Sequence, residues 1–156
     1  MKHPNRNVSR QRRQRGSTAV EFALIFPLFF LIFYAIVTYS IIFVAKQSLA
    51  LAASEGARAA LKFQPNANSA ASALTLRASA ACATATGLVN WLATTTPCTA
   101  TYAPCTFDAS MQCVQVTLNY DYAGKPLVPV LPLIGLPTPT TLTANAMVQL
   151  NPENLF

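Results

Sequence analysis

The sequence predicts an α+β protein: a long N-terminal transmembrane helix continuing into a stalk helix, then a small antiparallel sheet head with one packed helix. Three observations carry this reading. An uncharged run of 24 residues, 22–45, lies near the N-terminus. Beyond residue 101 the pattern turns to period two, rich in β-branched and aromatic residues. All four cysteines, Cys82, Cys98, Cys105 and Cys113, follow the apolar run and none lies in it or before it. With 156 residues, 53% hydrophobic and 10% charged, the chain holds one modest domain and a membrane segment but no large catalytic fold. It is also too apolar for a disordered regulator. The expected divisions are a basic leader at 1–16, the span at 17–46, the stalk at 47–63 and the head at 64–156.

The formal charge of +6 is confined to the leader. Lys2, Arg6, Arg10, Arg12, Arg13 and Arg15 stand there without an acid. From residue 16 onward Lys46, Arg58, Lys62, Arg77 and Lys125 are balanced by Glu21, Glu55, Asp108, Asp121 and Glu153. A basic arm can serve nucleic acid, but this one abuts an apolar run. Orientation of a membrane helix with its basic end in the cytoplasm is the simpler account, and no nucleic-acid partner is expected.

As a helix, residues 22–45 would extend about 36 Å at 1.5 Å per residue, enough to cross a hydrocarbon core of about 30 Å. A cleaved secretory signal with Ala50-Leu51-Ala52 as its site is the competitor. The run is much longer than the roughly 7–15 apolar residues of such a signal, and Lys46 intervenes. Glu21 stands at the entrance of the span, where a carboxyl is costly. Pro27 frees the carbonyl of Ala23 and is expected to kink or loosen the helix.

Beyond the span, residues 47–63 continue as a helix with Gln47, Ser54, Glu55, Arg58 and Lys62 near one face. Leu49, Ala52, Ala53, Gly56, Ala57 and Ala60 form an opposite side on which another backbone can approach closely. Either the chain's own head or a neighbouring subunit would fill it. Gln64 to Asn68 breaks the helix, and a second helix is expected from about Ser69 to Thr86, before Gly87. Trp91 reads as a core or interfacial anchor. Strands are expected at Val114–Asp121 and Thr140–Leu150, the centre of the sheet, with a shorter one near Tyr102–Phe107. Between them, residues 125–137 are apolar but broken by four prolines and a glycine, so they form a loop and not a span. That loop either folds over its own sheet, the favoured reading, or docks on a partner or the bilayer.

An even cysteine count on the exported side reads as two disulfides. The gaps of 15, 6 and 7 residues contain no C-x-x-C knuckle and no histidine, which argues against zinc. Spacing favours Cys105–Cys113 across a short hairpin and Cys82–Cys98 between the second helix and the following loop; the other connectivities stay open. His3 is the sole histidine, so the exported part has no base for a Ser-His-Asp or Cys-His site. Asp108 and Asp121 suit turns and strand ends better than a paired-carboxyl mechanism. No catalytic, cofactor-binding or metal-ligating set emerges, and an enzyme is not expected.

The stretch from Arg15 through Gly16, Ser17 and Glu21 to Pro27 resembles the type IV prepilin pattern: a basic leader ending in glycine, a small residue, a glutamate five places on and an apolar helix. G-S-T-A-V-E-F-A-L-I-F-P, followed by Ser54-Glu55-Gly56-Ala57-Arg58-Ala59-Ala60, is similar more closely to the TadE-like family of pseudopilins (minor pilins) of bacterial tight-adherence pili. The apolar proline-rich stretch before the last strand is also similar to that family. The resemblance implies a structural role in assembly of an adhesion pilus, without cofactor. It implies cleavage by a prepilin peptidase between Gly16 and Ser17, and an assembly element at Glu21, Phe22 and Pro27. Ala53, Gly56, Ala57 and Ala60 would serve helix packing. The implied partners are the peptidase, other pseudopilins and the major pilin, the pilus assembly platform and inner-membrane lipids, with the head in the periplasm. An uncleaved single-span inner-membrane adaptor, whose head binds an envelope complex, is the alternative.

Overall fold

The computed structural model describes residues 14–92, 96–131 and 135–154. Residues 1–13 of the expected leader, and Pro132, Leu133 and Ile134 of the proline-rich loop, lie outside these. Along the chain come helix α1 (Gln14–Ala59), helix α2 (Ala70–Leu88), strands β1 (Cys98–Pro104), β2 (Gln112–Asp121) and β3 (Thr141–Leu150), and a 3-10 turn at Pro152–Asn154. A long apolar helix, a second helix and a three-stranded antiparallel sheet make the protein α+β, as the sequence predicts.

The chain divides into two compact units, residues 1–39 and 40–156. In the first, the described residues are helical and their large apolar side chains point outward, Phe22 being 65% and Leu24 74% exposed. A helix that satisfies its own backbone and is apolar on its outside matches a hydrocarbon solvent. Pro27 lies inside the helix, which continues through it.

The second unit holds the rest of α1 from Ser40, together with α2 and the sheet. From residue 42 onward α1 buries Ile42, Ala45, Leu49, Ala52, Ala53 and Ala57, a stripe at helical spacing that Ala60 extends just past its end. Within the expected stalk, 47–63, this stripe packs into the second unit, one of the two arrangements the sequence left open. The helix ends at Ala59 because the chain turns through residues 60–62 and meets Pro65.

Helix α2 starts where its first residues can be capped. Ser69 Oγ accepts from the Ser72 N–H at 3.2 Å, and Ser72 Oγ accepts from the Ser69 N–H at 3.0 Å, a reciprocal box that satisfies two orphan donors. Gly87 does not stop the helix: it lies inside, and Val89 closes the end by donating to the Thr86 carbonyl. One glycine costs about 1 kcal/mol in a helix, and burial of Ala85 and Val89 on either side offsets it.

Strand β2 is central, with β1 and β3 antiparallel on its flanks. The sequence suggested that the two long alternating strands share the centre, whereas β3 is an edge. It also placed the short strand too late, because Cys105–Phe107 leave the ladder to enter the disulfide-closed turn before β2. The inward alternation of Val114, Val116, Leu118 and Tyr120 is as expected, and Leu142, Ala144 and Leu150 of β3 join it.

Gly56 sets the spacing of this core. A Cβ there would stand 2.8 Å from the Ala81 carbonyl oxygen, 2.9 Å from Ala85 Cβ and 3.4 Å from Val116 Cγ1. The carbonyl is backbone and cannot rotate away. Gly56→Leu should therefore destabilise the head by about 2 kcal/mol or more through overpacking. Thermal unfolding of the full chain in detergent, followed by near-ultraviolet circular dichroism, will show a lowered midpoint; an unchanged midpoint would contradict this packing.

Candidate functional site

The residues singled out by sequence fall on two stretches of α1. Gly16 and Ser17 lie within α1, close to Gln14, the first described residue. Glu21, Phe22 and Pro27 follow on the exposed part of the helix. Phe22, Phe26, Phe30 and Tyr34 stack in series, with ring centroids 5.4, 6.2 and 6.4 Å apart, and Phe29 stacks on Phe33 at 6.3 Å. This aromatic ladder was not singled out from the sequence, although its i, i+4 spacing is visible there. It offers a flat, stiff apolar stripe suited to lipid or to another helix.

Ala53, Gly56, Ala57 and Ala60, the second group, are buried within the head. Gly56 meets Ala81, Ala85 and Val116 of the same chain. Of the two occupants open at the sequence level, the chain's own head fills this face, because the alanines of α2 complement it closely. It is not open to a neighbouring subunit. On the opposite side Glu55 and Arg58 form a surface ion pair at 3.0 Å, worth a few tenths of a kcal/mol.

Arg77 was only counted as a charge in the sequence. It is 2% exposed, and its guanidinium Nη1 donates to the carbonyls of Ala60 at 3.1 Å and Leu61 at 3.2 Å. A cation is thus placed at the C-terminal end of α1, satisfying carbonyls left open by the chain reversal and favoured by the helix dipole. A single arginine in an alanine-rich helix gives no sequence sign of such a role; its isolation from any acid is the one available cue.

Two disulfides brace the head. Cys82–Cys98 joins α2 to the start of β1, and Cys105–Cys113 closes the turn between β1 and β2. Within that turn Asp108 accepts from the Ser110 hydroxyl at 2.6 Å and the Ser110 N–H at 2.9 Å, and these bonds hold its carboxyl below the usual aspartate range. Asp121 accepts from the Gly124 N–H at 2.9 Å at the far end of β2. Ten residues of strand separate the two turns, roughly 30 Å at about 3.3 Å per residue, so the carboxyls do not form a pair. Tyr120 donates to the Lys125 carbonyl at 2.6 Å, and burial followed by the Asp121 charge raises its phenol above the ordinary value. Leu127 and Val128 pack onto the head while Val130 is exposed.

The fold and these positions define a class: a protein with, among the described residues, one helix long and apolar enough to cross a membrane and a disulfide-bonded α+β head. Residues 16–58 match the family model described as TadE-like protein. The resemblance read from the Gly16–Pro27 and Ser54–Ala60 motifs is borne out over that segment. Comparisons with curated proteins and with solved structures gave no match.

The Arg77 contact makes a direct prediction. Arg77→Met retains most of the stem but leaves the Ala60 and Leu61 carbonyls without this donor, and should cost on the order of 2–4 kcal/mol. Urea unfolding of the full chain in detergent will report it as a lower midpoint; a loss below a few tenths would show that the contact is incidental.

Proposed function

We propose that this protein is a pseudopilin-like (minor pilin) component acting structurally in assembly of a Tad-type adhesion pilus. The observation that carries the reading is the TadE-like match beginning at Gly16 on a helix whose following turns expose an apolar surface. A membrane-embedded prepilin peptidase would cut between Gly16 and Ser17, where the absence of a side chain on glycine suits a narrow cleft and an extended backbone. The cut removes all six leader positives and leaves residues 17–156 with five positive and five negative side chains. The helix can then leave the inner leaflet without drawing arginines through lipid.

Assembly follows from the groups that remain. Ser17 gains an α-amine, and Glu21 of a neighbouring subunit is its natural partner within an apolar bundle. Desolvation offsets most of that attraction, so the pair acts on register more than on affinity. Phe22 and the aromatic ladder supply the lateral contact surface, and Pro27 leaves a carbonyl available on the same stretch. Other pseudopilins, the major pilin and the assembly platform are the partners. In the proposed orientation the leader is cytoplasmic, the span lies in the inner membrane and the head is periplasmic.

A second reading has its own support. Because Ala53, Gly56, Ala57 and Ala60 are occupied within the chain, the distal part of α1 presents no small-residue face to a fibre neighbour. That favours an uncleaved inner-membrane adaptor whose head binds an envelope complex. Intact mass and N-terminal sequencing of the protein coexpressed with its prepilin peptidase separate the two. A mature start at Ser17, abolished by Gly16→Leu, is the expected result. An N-terminus at Met1 would instead establish the adaptor, and one near Ala53 would make the apolar helix a discarded signal.

A further inference from the structure

Trp91 is the chain's one tryptophan, and it is 57% exposed. Its place in the head can be read from three contacts. Arg77 reaches the carbonyls of Ala60 and Leu61, while Ala81 and Ala85, further along α2, lie against Gly56. As α2 advances, its neighbours on α1 therefore recede, and the helices are antiparallel. Carried on to the end of α2, the same register brings Leu88 level with about Leu51 of α1, and Trp91 follows in the turn just beyond.

The sheet points the same way. Tyr102, which pairs with Val114, lies 3.3 Å from the Thr75 hydroxyl; Cys98, which pairs with Leu118, is bonded to Cys82. Strand β2 thus runs along α2 in the same direction. Its Asp121 end, and the loop beyond it, reach the end of the head that carries Trp91. There Tyr120 fastens the Lys125 carbonyl, Leu127 and Val128 turn inward, and Val130 is left 69% exposed.

We propose that Leu51, Leu88, Trp91 and Val130, with the exposed cations Lys46 and Lys125, form a rim that seats the head in the lipid headgroup layer around the emerging α1. This rests on the reading of α1 as a membrane span. Continuity with that span identifies the occupant. Lys46 follows directly on the uncharged run, and residues 46–51 rise about 8 Å along the helix, close to the depth of the headgroup layer beyond the hydrocarbon. Apolar side chains with an indole and lysines at that level match the interface, where amphipathic rings and snorkelling cations are both favoured. Asp121, the acid at this end, is engaged with the Gly124 N–H and does not offset both cations.

The single tryptophan is also the probe. The full chain is reconstituted in vesicles of phosphatidylcholine and phosphatidylglycerol, and Trp91 emission is quenched in turn by lipid brominated high on its chains, lipid brominated near the chain ends, and aqueous iodide. The rim predicts a drop of about twofold or more with the shallow bromolipid, as suits an indole at the headgroup level, and little effect of the other two. Free quenching by iodide would overturn it, and so would protection from all three quenchers, which would mean that protein covers Trp91. Trp91→Phe combined with Val130→Trp should give the same shallow pattern; an iodide-quenched indole there would remove the loop from the rim. Flotation after alkaline extraction keeps the two readings apart. Chain that floats but shows an aqueous Trp91 refutes the rim alone, and chain that does not float refutes the span and the rim with it.

Discussion

A single helix, α1, exposes large apolar side chains over one stretch and buries small ones over the next, and the rest of the structure follows from where one gives way to the other. Apart from the donor missing at Pro27 and the carbonyls at its end, its backbone is satisfied within the helix, so the change falls on the side chains. Over residues 18–33 every described side chain is exposed and, apart from Thr18 and Glu21, none is polar. From residue 42 onward one stripe shrinks to alanine, glycine and leucine and is buried. Large side chains suit lipid tails, which conform to any shape. Small ones suit a protein neighbour that has to be met at close range.

That close approach organises the head. Gly56 admits the Ala81 carbonyl and Ala85, and Arg77 closes the end of α1 just beyond. Helices held this near leave little volume for large core side chains, which explains an interior rich in alanine, with valine, leucine and tyrosine supplied by the sheet and by the ends and loops around the helices. A core of small residues buries modest apolar area per residue, and two disulfides compensate by restricting the unfolded chain. Each closure of 8 or 16 residues is worth about 2–3 kcal/mol by loop entropy.

Much of this was legible in advance because it rests on local pattern. The uncharged run, the small face at residues 49–60, the start of α2 near Ser69 and the alternation in β2 and β3 each follow from spacing. What escaped depends on tertiary geometry. Gly87 was read as a stop because local propensity takes no account of the burial of Ala85 and Val89. The short strand was misplaced because Cys105–Phe107 have strand-like composition but are drawn into a closed turn. Arg77 went unremarked since nothing in sequence says that α2 will pass the end of α1. The occupant of the Gly56 face was likewise undecided, since an alanine-rich helix looks the same whether its partner is its own chain or another.

The central claim, one helix shared between a lipid-facing and a protein-facing segment, is tested most directly by thiol labelling in intact membranes. The described cysteines are all paired, so an introduced cysteine reports alone. Phe29→Cys should resist a water-soluble maleimide from either side. Gln47→Cys should react from the outer side, and Asn5→Cys, read in cells without the prepilin peptidase so that the leader is retained, only after the inner face is opened. Reaction at position 29, or the same sidedness at 5 and 47, would contradict the account.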